Sequence, residues 1–256
     1  MKAVLSIARG MYLELFRRKD FYVMLICMLA LLSILASQRY FNVEGITRYL
    51  RDFGYTVVML FSFLIAVIVS ASQIPWEIES GTIYPLIAKP VSRLTIVTAK
   101  FFGSFMTGGA AFVAYYAVFV LFCAAQGEGF SVVLFAQAFY LGILFIAMVS
   151  AISLFFSVFM TMSAAVTIMM LVYFFVVNFG DALRKYVLGS EGIQFIFGCG
   201  IYYLLPHFDF FDMRIRLTHE WGVLPVWILV AITAYTGVYI ALLIFCSSAL
   251  LEKREL

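Results

Sequence analysis

Charged residues are absent from long blocks of this chain. None occurs at 21–38, 53–76, 101–127, 129–180 or 221–251. Each block is apolar, and a helix crosses a bilayer on about 20 predominantly apolar residues. The block 129–180 is too long for one crossing and fits two, joined by a tight turn at 160–162. The pattern therefore predicts six spanning helices, at 21–37, 55–74, 101–124, 132–159, 163–179 and 226–250, in one transmembrane domain covering 1–256.

The segments between the blocks have patterns of their own. In 1–19, Val4, Ile7, Ala8, Met11 and Leu15 share one helical face, and Lys2, Ser6, Arg9 and Arg17 share another. Glu14 and Arg18 form a favourable i,i+4 pair. Such a helix lies in the membrane interface with its basic face toward anionic headgroups, or else extends the first span. The apolar run from Phe21 is longer than the core of a signal peptide and lacks a small-x-small cleavage site, so it reads as a permanent span. Within 45–53, Ile46, Tyr49, Leu50 and Phe53 would form the apolar face of a short surface helix, with Arg48, Arg51 and Asp52 opposite. The connection 181–225 begins polar and turns apolar from Ile193 to Leu205, with Gly192, Gly198 and Gly200 interrupting. That run is too short to span. It fits a re-entrant hairpin, because irregular backbone at membrane depth survives only against protein or a cavity. A plain external cap fits equally well. The chain closes on Glu252-Lys253-Arg254-Glu255-Leu256 directly after the last span, with no cytoplasmic domain expected there.

Composition strengthens the membrane reading. The 256 residues are 65% hydrophobic and 12% charged, where a soluble domain carries about a quarter charged residues. Six spans place Lys2, Arg9, Arg17, Arg18, Lys19, Lys89, Arg93, Lys100, Lys253 and Arg254 on one side, against Arg39, Arg48, Arg51, Arg184, Lys185, Arg214 and Arg216 on the other. Arg17-Arg18-Lys19 abut the first span, which usually sets orientation, so the first side and both termini are expected in the cytoplasm. The basic residues are spread over the span flanks. No single patch offers itself to nucleic acid.

Much chemistry is missing. The predicted spans hold no Asp, Glu, Lys, Arg or His, and proton relays and voltage sensors need such groups at membrane depth. No lysine follows a glycine, so no P-loop can cradle ATP. Cys27, Cys123, Cys199 and Cys246 show no metal-ligand spacing and read as small packing residues. His207 and His219, with Asp209, Asp212 and Glu220, lack a recognisable ligand spacing and read as a solvated loop, with no metal expected. Ser62, Ala66 and Ser70, Ser104 and Gly108, and Ala147 and Ala151 recur every four residues, a spacing that lets helices approach closely.

One polar cluster lies between two long spans, from Pro75 to Arg93. The second span would exit at 75–76. Glu77 and Glu79 would follow on a polar turn, and Gly81 would permit a bend. Thr82 suits an N-cap for a short helix at 83–88, with Pro85 tolerated in its first turn. Lys89-Pro90 would end that helix. The outcome is a short helix parallel to the membrane, suited to docking into another protein, or else an ordinary loop.

This cluster resembles the signature of ABC-2 type transporter permeases. The matching residues are Glu79-Ser80-Gly81-Thr82, an apolar stretch, Pro90-Val91-Ser92-Arg93, and Lys100 ahead of the third span. The six-span plan, the basic N-terminal helix, the missing nucleotide site and Leu-Pro-x-Phe-Asp at 205–209 fit as well, while Pro85 departs from the usual pattern. The resemblance implies an all-α integral membrane bundle of six helices in the bacterial cytoplasmic membrane, with 1–19 as a connecting helix. It implies a coupling helix within 75–100, with Glu77, Glu79, Gly81, Thr82, Ile83, Tyr84, Leu86, Lys89 and Arg93 meeting an ATPase. It implies an external gate containing Ile193, Phe195, Phe197, Leu204 and Leu205. Two permease copies, as a homodimer among membrane lipids, would sit on two copies of a separate ATPase. That ATPase would bind ATP and magnesium, leaving this chain without cofactor or catalysis. The complex would export or translocate an unidentified substrate. The alternatives are a lipid-modifying enzyme using Glu77 and Glu79 beside Trp76, or a scaffold that moves nothing.

Overall fold

The computed structural model describes residues 19–37, 46–80, 92–126, 131–189, 205–219 and 221–253, together with 195, 198, 200 and 202. All regular structure among them is helical. Chain order runs α1 (Lys19–Ser37), α2 (Ile46–Glu79), α3 (Arg93–Gln126), α4 (Val132–Phe159), α5 (Met162–Gly189), a 3-10 turn (Phe208–Phe211), α6 (Arg214–His219) and α7 (Val226–Lys253). Five of these, α2 to α5 and α7, carry stretches long and apolar enough to cross a membrane. The apolar part of α1, Phe21–Ser37, is shorter than that. The amphipathic helix expected at 1–19 lies outside the described residues, except for Lys19, which opens α1.

α4 has the limits its hydrophobic pattern predicts. Met160 turns extended, at φ −120° and ψ 162°, and its N–H closes the helix on the Phe156 carbonyl. The chain re-enters helix at once, with Ala165 N–H on the Thr161 carbonyl at 2.9 Å.

α2 departs from expectation at both ends. The surface helix expected at 45–53 and the second span are one helix of 34 residues, about 51 Å long at 1.5 Å per residue. The faces of its first turns agree with expectation at Leu50 and Arg48 and depart from it at Tyr49, Arg51 and Phe53. Leu50 and Arg51 are buried, while Tyr49 and Phe53 are exposed. The reason is tertiary: Arg51 donates from Nη1 to the Leu217 carbonyl, 3.5 Å away near the end of α6, where the helix dipole favours a cation. At the far end the helix runs through Pro75. Proline withholds a donor from the Ala71 carbonyl. One turn earlier, Ser72 Oγ and Gln73 Nε2 donate to the Val69 carbonyl at 2.9 and 3.0 Å. The helix ends where Ser80 N–H meets the Trp76 carbonyl at 2.9 Å.

α5 overruns its predicted end in the same way and reaches Gly189, so the polar start of the 181–225 connection is helix. Residues 195, 198, 200 and 202 are helical. Gly198 packs so tightly on the last turns of α5 that a Cβ there would lie 2.9 Å from Val187 Cγ2.

α2 is the hub of the bundle. It packs most extensively on α3 and α4 and also touches α1, α5 and α6, whereas α7 lies on α4 and α3. α5 and α7 leave most of their apolar surface uncovered. The small-residue spacings do what the sequence suggests. Ser62, Ala66, Ser70, Ser104, Ala147 and Ala151 are all buried. A Cβ on Gly108 would stand 3.0 Å from Ala66 Cβ, so α2 and α3 approach almost backbone to backbone. Gly142 on α4 lies directly under the Phe112 ring of α3, with 2.2 Å between an added Cβ and Cζ.

Gly142→Ala is therefore expected to lower stability by about 1–3 kcal/mol through overpacking, and Phe112→Leu in the same chain to restore most of the loss. Thermal unfolding of the detergent-purified variants checks this. An unshifted midpoint for Gly142→Ala would contradict the close approach.

Candidate functional site

Two polar regions stand at opposite ends of the bundle. The first is where α2 ends and α3 begins. Glu77 Oε1 accepts a charge-assisted hydrogen bond from Lys100 Nζ, tying the last turn of α2 to the second turn of α3. Both side chains are largely withdrawn from solvent, with 9% of Lys100 and 14% of Glu77 exposed. α3 opens on a serine cap: Ser92 Oγ accepts from Thr95 N–H at 3.3 Å and shares a 2.7 Å bond with Thr95 Oγ1. Arg93 is half-buried, and its Nη1 has no hydrogen-bond partner among the described residues. Glu79, Ser80 and Trp76 are exposed.

Of the residues expected to couple to an ATPase, Glu77, Glu79 and Arg93 thus gather at this end. Glu77 faces Lys100 while Glu79 stays exposed. Gly81, Thr82, Ile83, Tyr84, Leu86 and Lys89 lie outside the described residues, as does the short helix expected around them.

The second region surrounds the Leu-Pro-x-Phe-Asp stretch at the other end. Phe208 and Phe211 of the 3-10 turn are buried against Phe145 of α4, with ring centroids 5.6 and 6.1 Å away. Tyr173 of α5 stacks on Phe63 of α2 at 4.3 Å and meets Phe208 at 5.5 Å. Tyr55 donates to the Phe211 carbonyl at 3.5 Å. These rings leave a cavity of about 160 Å³, whose mouth carries Asp209, Asp212 and Arg214. Arg214 is paired with Asp212 at 3.4 Å and with Asp52 of α2 at 3.6 Å. A smaller cavity of about 70 Å³ adjoins it and shares Asp209, with Arg184 and His207 in its lining.

His207 stacks on Phe210, with centroids 5.3 Å apart, and meets Tyr202 edge-on at 4.5 Å. Its backbone N–H donates to the Tyr235 hydroxyl at 3.2 Å, and that hydroxyl lies 3.3 Å from Nδ1. The hydroxyl can therefore donate its own proton to a neutral ring. Burial holds the His207 pKa below its ordinary value, outweighing Asp209 and a backbone hydrogen bond at Leu205 that act the other way. Among the described residues, no three His, Cys, Asp or Glu side chains come together to hold a metal. Of the expected gate residues, Phe195 is exposed and Leu205 half-buried, while Ile193, Phe197 and Leu204 lie outside the described residues.

Sequence reasoning missed three features here. Arg51 is buried, although its flanks read as a surface helix. Asp52, at the start of α2, pairs with Arg214, 162 positions further along the chain, and no local pattern signals it. Gln137 exchanges two 2.8 Å hydrogen bonds with the backbone of Leu224, fixing the approach to α7 onto α4. That last one had a signal: a lone amide in an apolar run needs a partner.

A family model described as ABC-2 family transporter protein matches residues 13–194, more than half of the chain and all of α1 to α5. No curated protein matches the chain.

Two outcomes follow from this geometry. Lys100→Met leaves Glu77 charged and unpaired in a largely buried place, which is expected to cost about 3 kcal/mol. The exchanged pair Glu77→Lys with Lys100→Glu is expected to recover part of that cost. Thermal midpoints of the two variants check this, and equal midpoints for Lys100→Met and the parent would refute it. For His207, the folded state resists protonation, so the unfolded state binds more protons in the window just below the ordinary value of about 6.5. Stability is fully present above that pH and falls as pH drops through the window. The drop is expected to shrink in His207→Phe. A parent midpoint that stays flat from pH 7.5 to 5 would refute this.

Proposed function

The chain belongs to the ABC-2 family of transporter proteins, and from that premise we propose that it is the permease subunit of an ATP-driven ABC transporter. Its several apolar helices make it a multi-pass membrane protein. In this reading α1 is the sixth span. Its 19 helical residues reach about 28 Å, close to the roughly 30 Å thickness of the hydrocarbon core. Both termini and the segment 80–92 then face the cytoplasm of a bacterial cell.

One observation carries the placing of the partner. α2 ends on an exposed Glu79 and Trp76, and the Glu77–Lys100 pair joins that end to the start of α3. A rigid, charged end with a tethered segment is suited to receive a separate ATPase, which holds the ATP and magnesium. Glu79, Arg93 and the 81–91 segment make the contact, and Glu77 works from behind it by holding α2 against α3. Two permease copies pair in the membrane over two ATPase copies. ATP-driven closure of the ATPase shifts the bundle between two states through contacts that differ between them. The hairpin region at 193–205 caps the far end, and the substrate is exported or translocated across the membrane.

The test is to purify the tagged chain gently from its native membrane. A P-loop ATPase is expected in near-equal amount, together with ATP hydrolysis by the complex. Glu79→Arg is expected to lower the recovered ATPase roughly three- to tenfold, as charge reversal at a contact rim does. Absence of any such ATPase across several detergents would overturn the permease reading. An unchanged ratio for Glu79→Arg would move the contact away from this end.

A further inference from the structure

The cavity between α2, α4, α5 and the 3-10 turn has a shape and chemistry that the coupling of the chain to an ATPase does not use. Its volume, about 160 Å³, is close to that of the cavity of about 150 Å³ that accommodates a benzene in an engineered protein core. It therefore admits one compact group rather than a whole lipid or peptide. Aromatic rings from separate elements form its wall: Tyr55 of α2, Phe145 of α4, Tyr173 of α5 and Phe208 of the 3-10 turn. Ring faces carry partial negative charge and attract cations.

The mouth adds full charges of the same sign. Asp209 and Asp212 line it, and the single guanidinium among the described lining groups, Arg214, is already paired with Asp212 and Asp52. Arg184, in the adjoining cavity, stands near Asp209. Among the described residues, Asp209, Asp212 and the Arg214-paired Asp52 then make three carboxylates against the two guanidinium groups of Arg214 and Arg184. Met59 and Val177 continue the lining, and Val177 is 49% exposed on the outside of α5. An apolar chain attached to a group in the cavity thus has an apolar way out along the bundle.

We infer that this cavity binds the quaternary or protonated ammonium group of a small amphipathic cation, seated against Tyr55, Phe145, Tyr173 and Phe208 and balanced by Asp209 and Asp212. A neutral group of equal size forgoes both the ring-face and the carboxylate attraction. An anionic group meets excess negative charge. The group comes either from a choline lipid of the bilayer or from a free amphipathic amine. The site belongs to the membrane chain itself and does not require the ATPase.

The experiment uses the purified full-length chain in a neutral maltoside detergent, with radiolabelled hexyltrimethylammonium as probe. Choline and its uncharged carbon analogue 3,3-dimethylbutanol are the competitors. Saturable probe binding is expected, with choline competing roughly tenfold better than the neutral analogue, as a desolvated cation over aromatic faces would. Asp209→Asn and Tyr173→Leu are each expected to weaken choline roughly fivefold or more while leaving the neutral analogue within about twofold. Two variants are used so that one failing to elute as a monodisperse peak leaves the other to decide. Phosphatidylcholine displacing the probe where phosphatidylglycerol does not would assign the group to a lipid. Failure of both to displace it would assign it to a free amine. Non-saturable binding, equal competition by 3,3-dimethylbutanol, or unchanged choline affinity in a well-folded variant overturns the inference.

Discussion

The distances among α2, α3 and α4 are set at positions that carry almost no side chain. Gly108 of α3 stands against Ala66, and Gly142 of α4 lies under Phe112. In lipid no hydrophobic force drives helices together, so close van der Waals packing must do that work. Once α2, α3 and α4 are drawn to that spacing, the other contacts follow. Lys100 comes within reach of Glu77 at one end. At the other, Phe63, Phe145 and Tyr173 meet, and the 3-10 turn seals them with Phe208 and Phe211. The bundle is organised by its smallest residues, and its largest ones fill the space those define.

Much of this was legible in the sequence, for a clear reason. Lipid imposes a length and forbids unpaired backbone, so an uncharged block such as 132–159 maps onto α4 without adjustment. Legibility fails where the lipid constraint ends. At the start of α2, the helical periodicity placed Arg51 outside and Tyr49 inside, but α6 arrives from far along the chain and offers the Leu217 carbonyl to Arg51. The periodicity records an apolar face, yet it cannot say which distant element will cover the polar one. Pro75 misled similarly. A proline after an apolar run reads as a stop, yet the helix continues one further turn to Glu79. The carboxylates of the larger cavity come from Asp209 and Asp212, with Asp52 paired to the same Arg214, and only folding brings Asp52 near the other two.

The polar groups of this chain are sorted by depth. Among the described residues, those inside the bundle are mostly hydroxyls, with the amides of Gln73 and Gln137 bonded to the Val69 carbonyl and to the Leu224 backbone. Among the described residues, charges appear at the two ends, and several there are paired or turned to a carbonyl, as with Glu77 and Lys100 or Arg216 and the Gly222 carbonyl at 2.9 Å. Charged side chains are costly at membrane depth, and the arrangement keeps them where water or a partner is at hand. The two ends differ in character. One offers a tied pair of helix ends and exposed polar residues, and the other an aromatic recess with carboxylates at its rim.

The Glu77–Lys100 pair has an entropic side. The residues from 80 to 92 are anchored at each end on helices whose separation is already fixed. The entropy lost in bringing two chain points together rises only slowly with the length between them, and here that loss is incurred when the bundle folds rather than when a partner arrives. A protein engaging this stretch would meet two ends that are already held. Anchored so, the stretch has both its ends in fixed places each time a partner arrives. Cutting the ion pair would hand part of that closure cost to whatever engages the stretch, even though neither Glu77 nor Lys100 need touch it.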